Sequence, residues 1–152
     1  MIEITYNDAV RAMNNAIVAK EEGPEYVYVK SVAIGEGDDV DGDPYLVCTY
    51  VHPDADGNLT QPGCLVGAAL IDLGIPVETL AEINQDGFGA SNLLSYLGGR
   101  GVVKATDKAK RVLSNAQSKQ DRGWSWGGAV EYAVTRVAEY KWDENEAGPS
   151  YN

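Results

Sequence analysis

Apolar positions recur at helical spacing along much of this chain, most regularly near its end. Trp126, Val130, Ala133, Val137 and Tyr140 follow one another at intervals of four and three. That rhythm puts one face of a helix over Ser125–Lys141 against a core. Ala109, Val112, Leu113 and Ala116 do the same for a helix reaching from the cap residue Thr106 to about Asp121. Near the start, Ala9, Met13, Ala16 and Ile17 line a helix from about Tyr6 to Glu22. Thr5 and Asp8 have the spacing of a capping box, and Gly23-Pro24 stops that helix.

The pattern changes from period 3.6 to β-branched and aromatic runs at Tyr26–Ile34 and Tyr45–Val51. Separated by the acidic, Gly-rich stretch Gly35–Asp43, these predict an antiparallel pair of strands. Turn-formers fill Pro53–Gly63, which reads as a loop. Short helices are expected at Cys64–Leu73, from Pro76 to about Asn84, and at Ala90–Leu97. Val102-Val103-Lys104 predicts a third short strand. The resulting expectation is one α+β domain over residues 1–142, a β-hairpin and this short strand packed against five or six helices. Residues 143–152 read as a polar tail.

Charge narrows the partners. The 152 residues carry a formal net charge of −11, which repels phosphate backbones and anionic lipid at long range. No apolar run spans a bilayer, since Asp72 interrupts Leu65–Ile75, and the N-terminus lacks the pattern of a secretory signal. Two cysteines, Cys48 and Cys64, are too few for a disulfide framework and read as buried, free thiols of a cytoplasmic protein. Nine Tyr and three Trp against a single Phe bias the aromatic content toward contact surfaces.

One segment opposes the overall charge. Residues 104–122 hold six of the twelve basic side chains against two acidic ones, leaving −15 on the remainder. Lys108, Arg111, Lys119 and Arg122 share a helical face with Asn115 between them, and Lys104 lies just before it. These five cations form the candidate contact face. Balancing the acidic neighbours is the competing structural role.

Catalytic motifs are sparse. Gly123-Trp124-Ser125-Trp126-Gly127 has the spacing of a nucleophile elbow. That motif needs a strand before the serine and a histidine after it, whereas a helix precedes Ser125 and the single His52 comes earlier. Ser125 therefore reads as a helix N-cap. Cys64, at a predicted helix N-terminus, is the one candidate reactive thiol, with His52 as its base. Asp54, Asp56 and Asn58 imitate a calcium loop, but Gly57 falls at the fourth position and Leu65 replaces the closing glutamate. No phosphate-binding glycine motif occurs, and no metal or cofactor is expected.

Three resemblances accompany these residues. Cys64-Leu65-Val66-Gly67 resembles the nucleophile helix of small cysteine peptidases of the NlpC/P60 type, which implies a cysteine hydrolase. Residues 78–103 resemble a winged helix-turn-helix, with Ala90–Leu97 as recognition helix and Val102–Lys104 opening the wing. That implies a regulator or nucleic-acid-associated protein, although the recognition helix carries no cation. Over most of the chain, Cys48-Thr-Tyr50, Gly63-Cys-Leu-Val-Gly67, Leu73-Gly74, Ala116-Gln117 and Gln120-Asp121-x-Gly123 resemble small proteins of actinobacteria and their phages, as do Trp126 and Ala129-Val130. That family has no established activity. The leading expectation is a phage-encoded, non-enzymatic interaction module that occupies a surface of a host protein.

Overall fold

The three longest helices among the described residues start at side chains that accept the first free N–H groups. Thr5 takes the amide of Asp8, and the Asp8 carboxylate takes that of Thr5, opening α1 (Tyr6–Val18) with a full capping box. The Thr5 amide and Arg11 hold the Asp8 carboxyl below its ordinary range. The computed structural model describes residues 1–28, 49–83 and 89–139. Before α1 lies β1 (Ile2–Ile4), and a helical turn at Gly23–Glu25 follows it. Then come β2 (Val51–Pro53), β3 (Leu59–Pro62), α2 (Leu65–Asp72), α3 (Val77–Glu82) and α4 (Ala90–Gly99). The chain continues through β4 (Val103–Ala105), α5 (Asp107–Asp121) and α6 (Trp126–Ala138).

The molecule is α+β, helices dominating two small sheets. β1 pairs in parallel with β4, and β2 pairs antiparallel with β3. The stretch expected to be a loop is therefore partly a hairpin. Its turn is organised by Asp54, whose carboxylate accepts the amides of Asp56 and Asn58 and the hydroxyl of Thr60. Gly57, at φ +87°, supplies the left-handed residue this turn requires. The expected strand pair at 26–34 and 45–51 falls mostly outside the described residues. Within them, Val27 makes an isolated bridge to Ser125, and Val51 opens β2.

α5 occupies the centre, packing against α1, α2, α4 and α6. Its inward face carries Ala109, Val112, Leu113 and Ala116, as the periodicity predicts, and continues through two buried glutamines, Gln117 and Gln120. Thr106 and Ser125 cap α5 and α6 by accepting the amides of Ala109 and Gly128. α2 approaches the chain at 49–50 closely: a Cβ on Gly63 would overlap the Thr49 carbonyl oxygen, and one on Gly67 that of Tyr50. The tail at 143–152 and the last stripe residue, Tyr140, lie outside the described residues.

Candidate functional site

Ser125 and His52, which suggested chemistry in the sequence, each have a structural partner. Ser125 spends its hydroxyl on the α6 cap, at 3.1 Å from the Gly128 amide. His52 Nε2 and the Tyr28 hydroxyl are 2.8 Å apart. Burial, with the nearby Lys20 charge second, lowers the His52 pKa and keeps the ring neutral at pH 7. Burial likewise pushes the Tyr28 phenol up to about 12.

The expectation of free thiols is corrected at Cys64, which is disulfide-bonded and fully buried. The only other cysteine in the chain, Cys48, lies outside the described residues. A sulfur held in a disulfide carries no thiolate, so Cys64 is not a standing nucleophile at the start of α2. Among the described residues no three His, Cys, Asp or Glu side chains converge to hold a metal ion. The Asp54 carboxylate is already engaged by three donors, with the Thr60 hydroxyl foremost in lowering its pKa.

Tyr50, Gln117, Gln120 and Trp126 meet in one buried polar cluster. Gln117 Oε1 accepts the Ala90 amide at 2.7 Å, and its Nε2 donates to the Tyr50 hydroxyl at 3.0 Å. Gln120 Oε1 accepts the Trp126 indole N–H at 3.1 Å as well as the Leu65 amide. Two glutamines of α5 thereby cap the N-termini of α4 and α2, where Gly89 and Cys64 offer no capping side chain. Gln120 Nε2 donates to Asp121 at 2.8 Å. Burial nevertheless raises the Asp121 pKa to about 7. The cluster is scaffolding, and it accounts for Tyr50, Gln117, Gln120 and Trp126 together. A signal was present in the sequence: positions 117 and 120 continue the apolar face of 109, 113 and 116.

The five cations do not form one open face. Lys104 is exposed on β4, and Arg122 is exposed just past α5. Lys108 holds its ammonium 4.4 Å from the centre of the Tyr6 ring. Arg111 is half-buried, and Asn115 has a buried Nδ2 with no hydrogen-bond partner among the described residues. Lys119 lies over two rings at once, 4.5 Å from Tyr132 and 5.0 Å from Trp124. Those rings meet edge to face with centroids 5.8 Å apart, and Trp124 remains 42% exposed. The sequence-predicted face thus contributes Lys119 and Arg122 to an aromatic–cationic patch at the α5–α6 turn.

The winged-helix reading meets three features of the same region. β4 pairs with β1 and is followed at once by Thr106 and α5, leaving no room for a wing hairpin after it. Seven residues separate α3 from α4, and the outer face of α4, with Ser91, Asn92, Ser95 and Tyr96, has no cation before Arg100. Among the described residues, no helix is long and apolar enough to cross a membrane. Comparison with protein-family models, curated protein sequences and solved structures yields no match for this chain.

Proposed function

We propose that the protein is a non-enzymatic protein-interaction module, phage-encoded and directed at a protein of an actinobacterial host. The observation that carries this reading is the patch of Trp124, Tyr132 and Lys119 beside the exposed Arg122. Trp, Tyr and Arg dominate the energetics of protein interfaces. Lys119 is already held over its two rings, which reduces the side-chain freedom lost when a partner docks. The net charge of −11 supports a protein partner over a nucleic acid. The actinobacterial resemblance supports the origin.

The disulfide at Cys64 supports an oxidising setting over the cytoplasm expected from the sequence, because thiol-buffered compartments keep such bonds reduced. It also removes the free thiol on which a cysteine hydrolase depends.

Affinity capture from an actinobacterial lysate tests the proposal, using the parent protein, Trp124→Ala and Lys119→Glu in parallel. A host protein retained by the parent and lost from both variants is the expected result. Equal retention by all three, or recovery of nucleic acid alone, would move the contact surface elsewhere or end the reading.

A further inference from the structure

The turn from α5 into α6 is closed by its own backbone. The Lys119 carbonyl accepts the amides of both Arg122 and Trp124 at 3.1 Å, and the Gln120 carbonyl accepts that of Gly123. Gly123, at φ +95°, takes the left-handed conformation that ends a helix this way. The Trp124 ring rests against the first turn of α6, where a Cβ on Gly128 would stand 3.6 Å from it. Lys119, Arg122 and Trp124 therefore leave one rigid turn of chain.

The positive charge of this turn is unmatched. Among the described residues, no carboxylate stands within ion-pair reach of Lys119 or Arg122. Asp121, between them, is bonded to Gln120 Nε2 at 2.8 Å, and burial raises its pKa to about 7. It therefore offsets only part of a unit charge near neutral pH. The carbonyls that end α5 offset roughly another half unit. Two cations thus keep roughly one net positive charge at this point, on a chain whose total is −11.

We infer that the patch receives a carboxylate side chain of the partner protein, presented beside an apolar residue that covers the Trp124 ring. This rests on the reading of the patch as the contact surface and names the chemistry that fills it. The Arg122 guanidinium offers the planar fork that pairs with a carboxylate through two parallel bonds. Lys119, already seated over its rings, adds a second charged donor. A single-stranded nucleic acid also stacks on aromatic rings and follows cations. It carries a phosphate on every nucleotide, however, and those beyond the turn meet the acidic body. A segment with one or two carboxylates matches the local charge, because the distant acidic residues are screened beyond about 8 Å.

The probes are a short blocked peptide of alternating Leu and Glu and its Leu/Gln counterpart, titrated into the full chain and followed by NMR. The Leu/Glu peptide should move the Trp124 indole N–H and the Tyr132 ring signals, with an affinity that falls as salt rises. The Leu/Gln peptide should bind at least tenfold more weakly. Lys119→Gln with Arg122→Gln should weaken the Leu/Glu peptide to the same degree. Equal binding of the two peptides, an unaltered affinity in the double variant, or no shift at Trp124 would each overturn the inference. So would tighter binding of an oligothymidylate of the same length. A host protein captured by the parent chain separates this inference from the reading beneath it. Retention by the double Gln variant but not by Trp124→Ala would remove the carboxylate and keep the contact surface. Retention by both would remove the surface itself.

Discussion

Gln120 Oε1 receives the backbone N–H of Leu65 at 2.8 Å, joining the last turn of α5 to the first residue of α2. Because the same oxygen holds the Trp126 indole, Gln120→Leu leaves two buried donors unpaired. Each such donor costs about 1–3 kcal/mol, so urea unfolding should register a loss of about 2–4 kcal/mol. Gln120→Glu keeps the acceptor but faces Asp121, and should recover stability only at low pH. A loss below about 1 kcal/mol for Gln120→Leu would mean that water reaches these donors.

Trp126 is fully buried and meets Tyr26 edge to face at 4.6 Å. Trp126→Ala should cost about 3–5 kcal/mol in chemical unfolding. Trp126→Phe keeps most of the bulk and should lose less, chiefly the indole hydrogen bond. Melting of Trp126→Ala within a degree or two of the parent would contradict the packing.

The pKa shifts predict opposite pH arms. Asp121 ionises near pH 7 in the folded chain and near 3.8 when unfolded, so the folded state binds its proton more tightly. Its contribution is fully present below pH 3.8 and is lost as pH rises to about 7. His52 is shifted down, so its contribution is present above pH 6.5 and is lost as pH falls through its lower folded value. Asp121→Asn should raise the melting temperature by several degrees at pH 8 and leave it nearly unchanged at pH 4. A uniform gain at both values would assign the effect to something other than ionisation.

With Cys64 in a disulfide, unfolding in urea without reductant should release no thiol, and adding reductant should expose two. Reduction should lower stability by about 2–4 kcal/mol, the usual contribution of such a bond. A thiol that titrates in the unreduced chain would restore the reading as free cysteines.

The engaged cations of α5 predict no binding to DNA or RNA at physiological salt, where a local patch acts over roughly 8 Å. A low-salt gel shift abolished by Lys108→Glu, Arg111→Glu and Lys119→Glu together would instead favour a nucleic-acid-associated role.

The sequence showed the long helices because their caps and apolar spacing are local properties. α1, α5 and α6 begin at Tyr6, Asp107 and Trp126 behind Thr5, Thr106 and Ser125. β1 was missed because three residues are too few to show a period. The β2–β3 hairpin was hidden by the turn-forming composition of 53–63, since its organiser, Asp54, is equally at home in a loop. The contact face was half legible. Its cations are visible as charge, but the rings beneath Lys108 and Lys119 come from other elements. Gln117 and Gln120 were readable as polar residues on an apolar face, though not the helix ends they serve.

Parallel pairing of Ile2–Ile4 with Val103–Ala105 also sets a schedule for the chain. Helix α1 needs only neighbours to form, whereas the strand before it waits for a partner roughly a hundred positions away, a closure that slows folding. During synthesis β1 therefore remains unpaired until β4, roughly a hundred positions later, has followed. A bulky fusion ahead of Ile2 should delay that final docking more than one placed after α6.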